Sequence, residues 1–108
     1  MDLTDFIGVP YTGKRFCAVF AAQVLARHGI PYPLHALKPQ DAADWRPVDD
    51  PQPLDVVVFR INGRPGHVGV CVGGGRFLHV EEGDTSCIER LSSPAWRPRI
   101  EGFYRYRP

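Results

Sequence analysis

The chain has 108 residues, 44% of them hydrophobic and 23% charged, with a formal net charge of +1. Those figures describe one globular domain with a single core over residues 1–108 and supply no long-range field to gather nucleic acid or an anionic membrane. Its three cysteines, Cys17, Cys71 and Cys87, are too widely spaced for a paired zinc signature and odd in number for a disulfide framework.

The opening "MDLTDFIGVPYTGKRFC" carries two early aspartates and no apolar run of secretory type, so cytoplasmic synthesis without a signal peptide is expected. No stretch approaches the roughly eighteen apolar residues of a membrane span. Apolar residues then recur at Cys17, Phe20, Ala21, Val24, Leu25 and His28, the rhythm of one helix face. Gly29 and Pro31 stop it, which predicts a helix from about Arg15 to His28 with Cys17 in its first turn. Residues 31–53 read as an ordered connection, with a short helical candidate at "KPQDAADW" and a proline-punctuated "RPVDDPQP" after it. Beyond Leu54 the pattern turns to strand. "DVVVFRI", "HVGVCV", "RFLHV" and "SCIERL" are short β-rich runs, and "IEGFYRYR" is a fifth. One helix followed by an antiparallel meander of about five strands is an α+β fold.

Two histidines, His67 and His79, lie in the central hairpin "GHVGVCVGGGRFLHV". With Gly73 to Gly75 as a three-residue loop, Val72 faces Arg76 and Gly69 faces His79. His67 then becomes the diagonal neighbour of His79, about 7–8 Å away at Cα and on the same face. A two-residue loop would shift the register by one and send the imidazoles to opposite faces. A lone strand histidine is ordinarily structural. Two on one face, with a bare glycine between, suit proton transfer, and a cysteine at a helix N-terminus suits nucleophilic attack. Unpaired N–H groups and the helix dipole favour the thiolate there, and a neighbouring imidazole can take its proton. Cys17, His67 and His79 would be nucleophile, base and orienter, with the Cys17 backbone N–H as an oxyanion donor.

The helix-borne cysteine, then "PLDVVVFR", "GHVGVCVGGGRFLHV" and a closing aromatic strand, resemble the NlpC/P60 cysteine peptidases, whose fold is a compact version of papain's. The resemblance runs from "IGVPY" to "GFYRYR", and its most specific block spans residues 67–80. It implies a Cys-His-His triad at Cys17, His67 and His79, with Tyr11 of the "PY" step at the oxyanion site. It also implies hydrolysis of a peptidoglycan stem peptide, usually between D-glutamate and a diamino acid, with no cofactor. The tail "SSPAWRPRIEGFYRYR" resembles the phage tail assembly branch, which implies other tail proteins as partners and action at the bacterial wall from a virion tail. Where the family usually has Asp-Cys-Ser, this chain has Phe16-Cys17-Ala18; Lys14 or Arg15 can offer a substrate carboxylate a cation instead.

Other readings use the same residues. Zinc on Cys17, His67 and His79 has suitable ligand atoms but lacks a close ligand pair, so no metal is expected. Cys71 and Cys87 are expected as buried small hydrophobes. Aromatics interleaved with arginines in "WRPRIEGFYRYR" suit single-stranded nucleic acid, yet alternation in a terminal strand explains them with so low a net charge. Glu81-Glu82 reads as a turn, with Glu81 a weak candidate for holding His79. A tail protein that kept the fold without turnover, and a papain-like amidase or acyltransferase on another substrate, are the alternative functions.

Overall fold

In the computed structural model, which describes residues 2–34 and 42–108, the apolar periodicity after Gly13 becomes α1 (Phe16–Ala26). Phe16, Phe20, Ala21, Val24 and Leu25 are its buried residues. The core row therefore starts at Phe16, and expected members Cys17 and His28 fall at its margin, half-buried and exposed respectively. This rotation turns Cys17 away from the core centre.

The sheet has six strands rather than five: β1 (Trp45–Val48), β2 (Val56–Ile61), β3 (Arg64–Gly73), β4 (Arg76–His79), β5 (Cys87–Arg90) and β6 (Ile100–Tyr106). They lie in the order β1-β6-β2-β3-β4-β5, with antiparallel pairing throughout. The additional strand is "WRPV", inside the stretch read as a connection. Pro47 cannot donate to a ladder, but β1 is an edge strand, where proline is tolerated, and Trp45 anchors it against Tyr32 and Tyr106. Of the helical candidate at 38–45, residues 38–41 lie outside the described residues; 42–44 form a bend and turn that lead into β1.

Each sheet face has its own core. Val56, Val58, Val68, Val70 and Leu78 meet α1 on one face. Val57, Phe59, Cys71 and Phe77 meet Trp96 and Leu91 on the other. The histidines belong to the second face, where His67 stacks on Trp96 and His79 packs against Phe77.

The central hairpin keeps the expected pairing by an unexpected route. Gly73 pairs with Arg76, so the turn is only Gly74-Gly75, both at positive φ, as a tight hairpin turn requires. An irregularity between Cys71 and Gly73 absorbs one residue, and Val70 still faces Leu78. The bulge cancels the slip that a two-residue turn alone would cause. Gly69 clears the space inside it: a Cβ there would lie 2.8 Å from the Phe77 ring and 3.2 Å from the Leu78 carbonyl. Gly69→Ala is therefore expected to destabilise the fold by about 1–3 kcal/mol, read as a lower urea midpoint with an unchanged slope.

Candidate active site

A second bulge sets His67. Phe59 pairs with His67 and Arg60 with Pro65, leaving Gly66 as the extra residue of β3. A Cβ on Gly66 would lie 2.9 Å from Ile61 side-chain carbons, so only glycine fits without movement. Beside this bulge opens a cleft of about 360 Å³ lined by Tyr11, Arg15, Cys17, Tyr32, His67 and Glu82 among others. A second hollow shares Tyr11, Cys17, Gly66, His67 and Glu82 and continues toward Glu81, Trp96 and Arg99. Cys17, on the helix that covers one face of the sheet, and His67, whose side chain leaves β3 toward the other face, thus both line one cleft. Arg15 and Tyr11 line it as well, whereas Lys14 is exposed and outside both linings.

Tyr11 has a structural task besides. Arg15, at the N-terminus of α1, adopts a left-handed φ of 56° and gives no side-chain cap. The Phe16 N–H instead donates to the Tyr11 hydroxyl oxygen at 3.1 Å, and the two rings meet edge-on at 5.6 Å. The phenol therefore ties the loop to the first turn of α1, directly beside Cys17, and its own O–H remains a donor.

Behind His67 runs a chain of hydrogen bonds. His67 Nε2 and His79 Nδ1 are 2.8 Å apart, and His79 Nε2 lies 2.5 Å from Glu89 Oε2. The Trp96 indole N–H donates to the same carboxylate oxygen at 3.1 Å. Because a carboxylate only accepts, His79 carries its proton on Nε2 and offers a bare Nδ1. His67 must then donate through Nε2, which leaves the lone pair on Nδ1. That is the nitrogen still available to the cleft. One carboxylate thus sets the tautomers of two imidazoles in series.

Burial keeps both rings neutral. Desolvation foremost, then His79 and Arg99, pull His67 down to about 3. His79 is also lowered by burial, against the opposing pull of Glu89, Glu81 and Asp84. At Cys17 burial again dominates and raises the thiol, although the backbone N–H groups of Val68, Ala18 and Cys17 itself and the Arg15 charge act the other way. The expected thiolate preference of the helix start is therefore outweighed in the resting protein. A neutral thiol and a neutral imidazole line the same cleft. Alkylation of Cys17 by iodoacetamide in a Cys71→Ser, Cys87→Ser background is expected to be slow at neutral pH. It should climb only at alkaline pH, because a raised pKa holds the unreactive thiol form to higher pH; a plateau extending into acid would indicate a preformed ion pair instead.

The family model described as NlpC/P60 matches residues 8–105. The chain belongs to the NlpC/P60 family. An NlpC/P60 family protein from Bacillus cereus is 26% identical with a TM-score of 0.79, covering 97% of this chain and 38% of that one. A protein similar to a lipoprotein of the NLP/P60 family, from Staphylococcus aureus, is 21% identical with a TM-score of 0.77, covering 96% of this chain and 38% of its own. The NlpC/p60 domain of the peptidoglycan hydrolase SagA is 24% identical with a TM-score of 0.66, over 94% of this chain and 89% of that domain. This NlpC/P60 chain therefore spans well under half the length of the first two. A comparison with curated proteins finds no match. Among the described residues no helix is long and apolar enough to cross a membrane.

Within this NlpC/P60 domain several site residues escaped the sequence reading. Glu89, not Glu81, holds His79; Glu81 and Glu82 line the cleft. Tyr32 reaches the cleft from the connection, its phenol pushed well above the ordinary range by burial and by Cys17. Cys71 is buried as expected, and burial with Asp55 nearby drives its thiol up to about 12. Cys87, expected inside, is exposed because β5 is an edge strand.

Proposed function

We propose that this NlpC/P60 domain is a cysteine peptidase that cuts peptidoglycan stem peptides between D-glutamate and the diamino acid, and that it does so in association with a phage tail. The observation that carries the reading is the hydrogen-bonded His67–His79 pair opening onto a cleft that also holds Cys17. Family membership and the fold of the SagA hydrolase domain support a wall substrate. The resemblance of the terminal "WRPRIEGFYRYR" to tail assembly proteins supports the tail association.

In this mechanism the scissile carbonyl enters beside Cys17. His67 Nδ1 takes the thiol proton as the Sγ–C bond forms, so charge separation is created only at the moment of attack. The new imidazolium keeps its Nε2–H on His79 Nδ1, which holds the ring in place. The oxyanion accepts from the Cys17 N–H and the Tyr11 O–H. Collapse breaks the C–N bond while the imidazolium returns its proton to the leaving amine. Water then attacks the thioester, losing a proton to Nδ1; the C–S bond breaks, and the proton passes to the thiolate. The Arg15 guanidinium at the cleft offers a partner to a substrate carboxylate.

Purified peptidoglycan and its muropeptides, digested with and without chelator and read by mass spectrometry, test the proposal. Expected products are fragments with a new D-glutamate carboxyl and a free diamino-acid amine, formed despite chelator and absent with Cys17→Ala. Folded wild-type protein that leaves every muropeptide intact would overturn the reading.

A further inference from the structure

The edge of the sheet beyond His79 holds a second group of donors. His79 and Cys87 are directly paired across β4 and β5, and Glu89 follows two residues on from Cys87, so all three side chains leave the same face. An imidazole nitrogen, a thiol sulfur and a carboxylate oxygen lie there within 4.8 Å of one another, with Cys87 Sγ 4.0 Å from Glu89 Oε2. Cys87 is exposed and the Glu89 side chain is 35% exposed, so an ion has a path in and both ligands have room to close around it. Glu81 and Asp84 add negative charge close enough to act on both His79 and Cys87.

We infer that His79, Cys87 and Glu89 form a zinc site whose occupation silences His67. The donor set of one thiolate, one imidazole and one carboxylate is that of a borderline-soft divalent ion, and water can complete a tetrahedron. Zinc bonds to the His79 Nε2 lone pair, which requires the proton of that ring to sit on Nδ1. His79 then donates to His67 Nε2 instead of accepting from it, and the proton of His67 moves to Nδ1. Each imidazole keeps one proton. Cys87 releases one as its sulfur becomes the thiolate ligand, so thiolate, carboxylate and Zn²⁺ balance to zero charge. His67 is left with N–H, rather than a lone pair, toward the cleft, and Cys17 loses its base.

The binding claim stands apart from the peptidase reading; the inhibitory consequence rests on it. Cobalt(II), titrated into the reduced protein, is expected to give a sulfur-to-metal charge-transfer band in wild type and in Cys17→Ala, and none in Cys87→Ser. Zinc should displace that band, and zinc added to the metal-free reduced protein should release one proton, measured calorimetrically in buffers of different ionisation enthalpy. In the muropeptide assay zinc should inhibit wild type reversibly. Cys87→Ser should keep the zinc-free rate and require about a hundredfold more zinc for the same inhibition. A cobalt band lost in Cys17→Ala and retained in Cys87→Ser would put the metal on the nucleophile and overturn the proposal, as would the absence of any band. A Cys87-dependent band on a protein that cuts no muropeptide would uphold the site and defeat the peptidase reading alone.

Discussion

Muropeptide turnover by Cys17→Ala is expected to fall by about ten-thousandfold or more, while the thermal midpoint stays within a degree or two of wild type (about 0.5 kcal/mol or less). The two halves of this expectation have separate physical grounds. Cys17 is half-buried in the first turn of α1, and the packing of that turn is supplied by Phe16 and Phe20. Alanine is the best helix former, so removal of the sulfur leaves the helix and its Tyr11 cap in place. What disappears is the only atom in the proposed mechanism that bonds to substrate. His67→Ala should be less severe, by about a hundredfold to ten-thousandfold, because the thiol can still attack from its small ionised fraction; its rate should recover partly as pH rises. A non-catalytic tail component predicts a different pattern, in which wild type and Cys17→Ala are equally inert and no electrophilic probe labels Cys17 selectively. Paired melts and digestions separate the two.

The placement of the histidines was legible because it depended on local chemistry. Three consecutive glycines and a valine-rich hairpin restrict the register to few choices, and Val70 facing Leu78 is the one expected, even though a two-glycine turn and a bulge produce it. The helix was legible from its period, with Phe16 rather than Cys17 at the head of the buried row. β1 was not, since Pro47 in a short run signals a break unless it is known to lie on an edge. Cys87 was misjudged for a related reason: strand propensity reports pairing but not whether a partner covers the far side.

Glu89 was hidden by a longer-range cause. The diagonal argument that joins His67 to His79 applies equally to His79 and Glu89, but it needs the β4–β5 register. The expected turn at Glu81-Glu82, closed by the Asp84 N–H on the Glu81 carbonyl, is only part of the longer connection 80–86 and does not fix that register. That register is held from outside the hairpin. Ser86 Oγ accepts from the Val9 N–H at 2.8 Å and donates to the Phe6 carbonyl, and Pro10 bridges Thr85, so the N-terminal segment pins the loop. No pattern confined to 80–90 encodes it. The thiol likewise could not be read from helix position alone, because dipole and amide effects compete with burial and the depth of Cys17 is a tertiary quantity.

Glu89→Gln is expected to lower kcat by about tenfold to a hundredfold with KM little changed, through the tautomers rather than through packing. Glutamine has nearly the same shape, but His79 and the Trp96 indole share one carboxylate oxygen, so the amide rotamer that puts nitrogen in that place gives up the Trp96 bond. In that rotamer the NH2 group faces His79 Nε2 as a donor, which favours a lone pair there and moves the His79 proton to Nδ1. His67 is driven toward the Nδ1–H form, the same form that zinc is inferred to impose. When the glutamine oxygen instead accepts from both donors, the productive tautomer survives, so the variant is a mixture with reduced rather than absent activity. Nitrogen-15 spectra of the imidazoles can read this without any substrate: in wild type the pyridine-like nitrogen of His67 should be Nδ1, and in Glu89→Gln that signal should be shared with Nε2. Glu89→Asp, which retains an acceptor-only carboxylate on a shorter stem, should restore the Nδ1 lone pair wherever it reaches His79 and recover more rate than Gln. A loss of rate in Glu89→Gln with an unchanged His67 tautomer would show that Glu89 acts by packing alone.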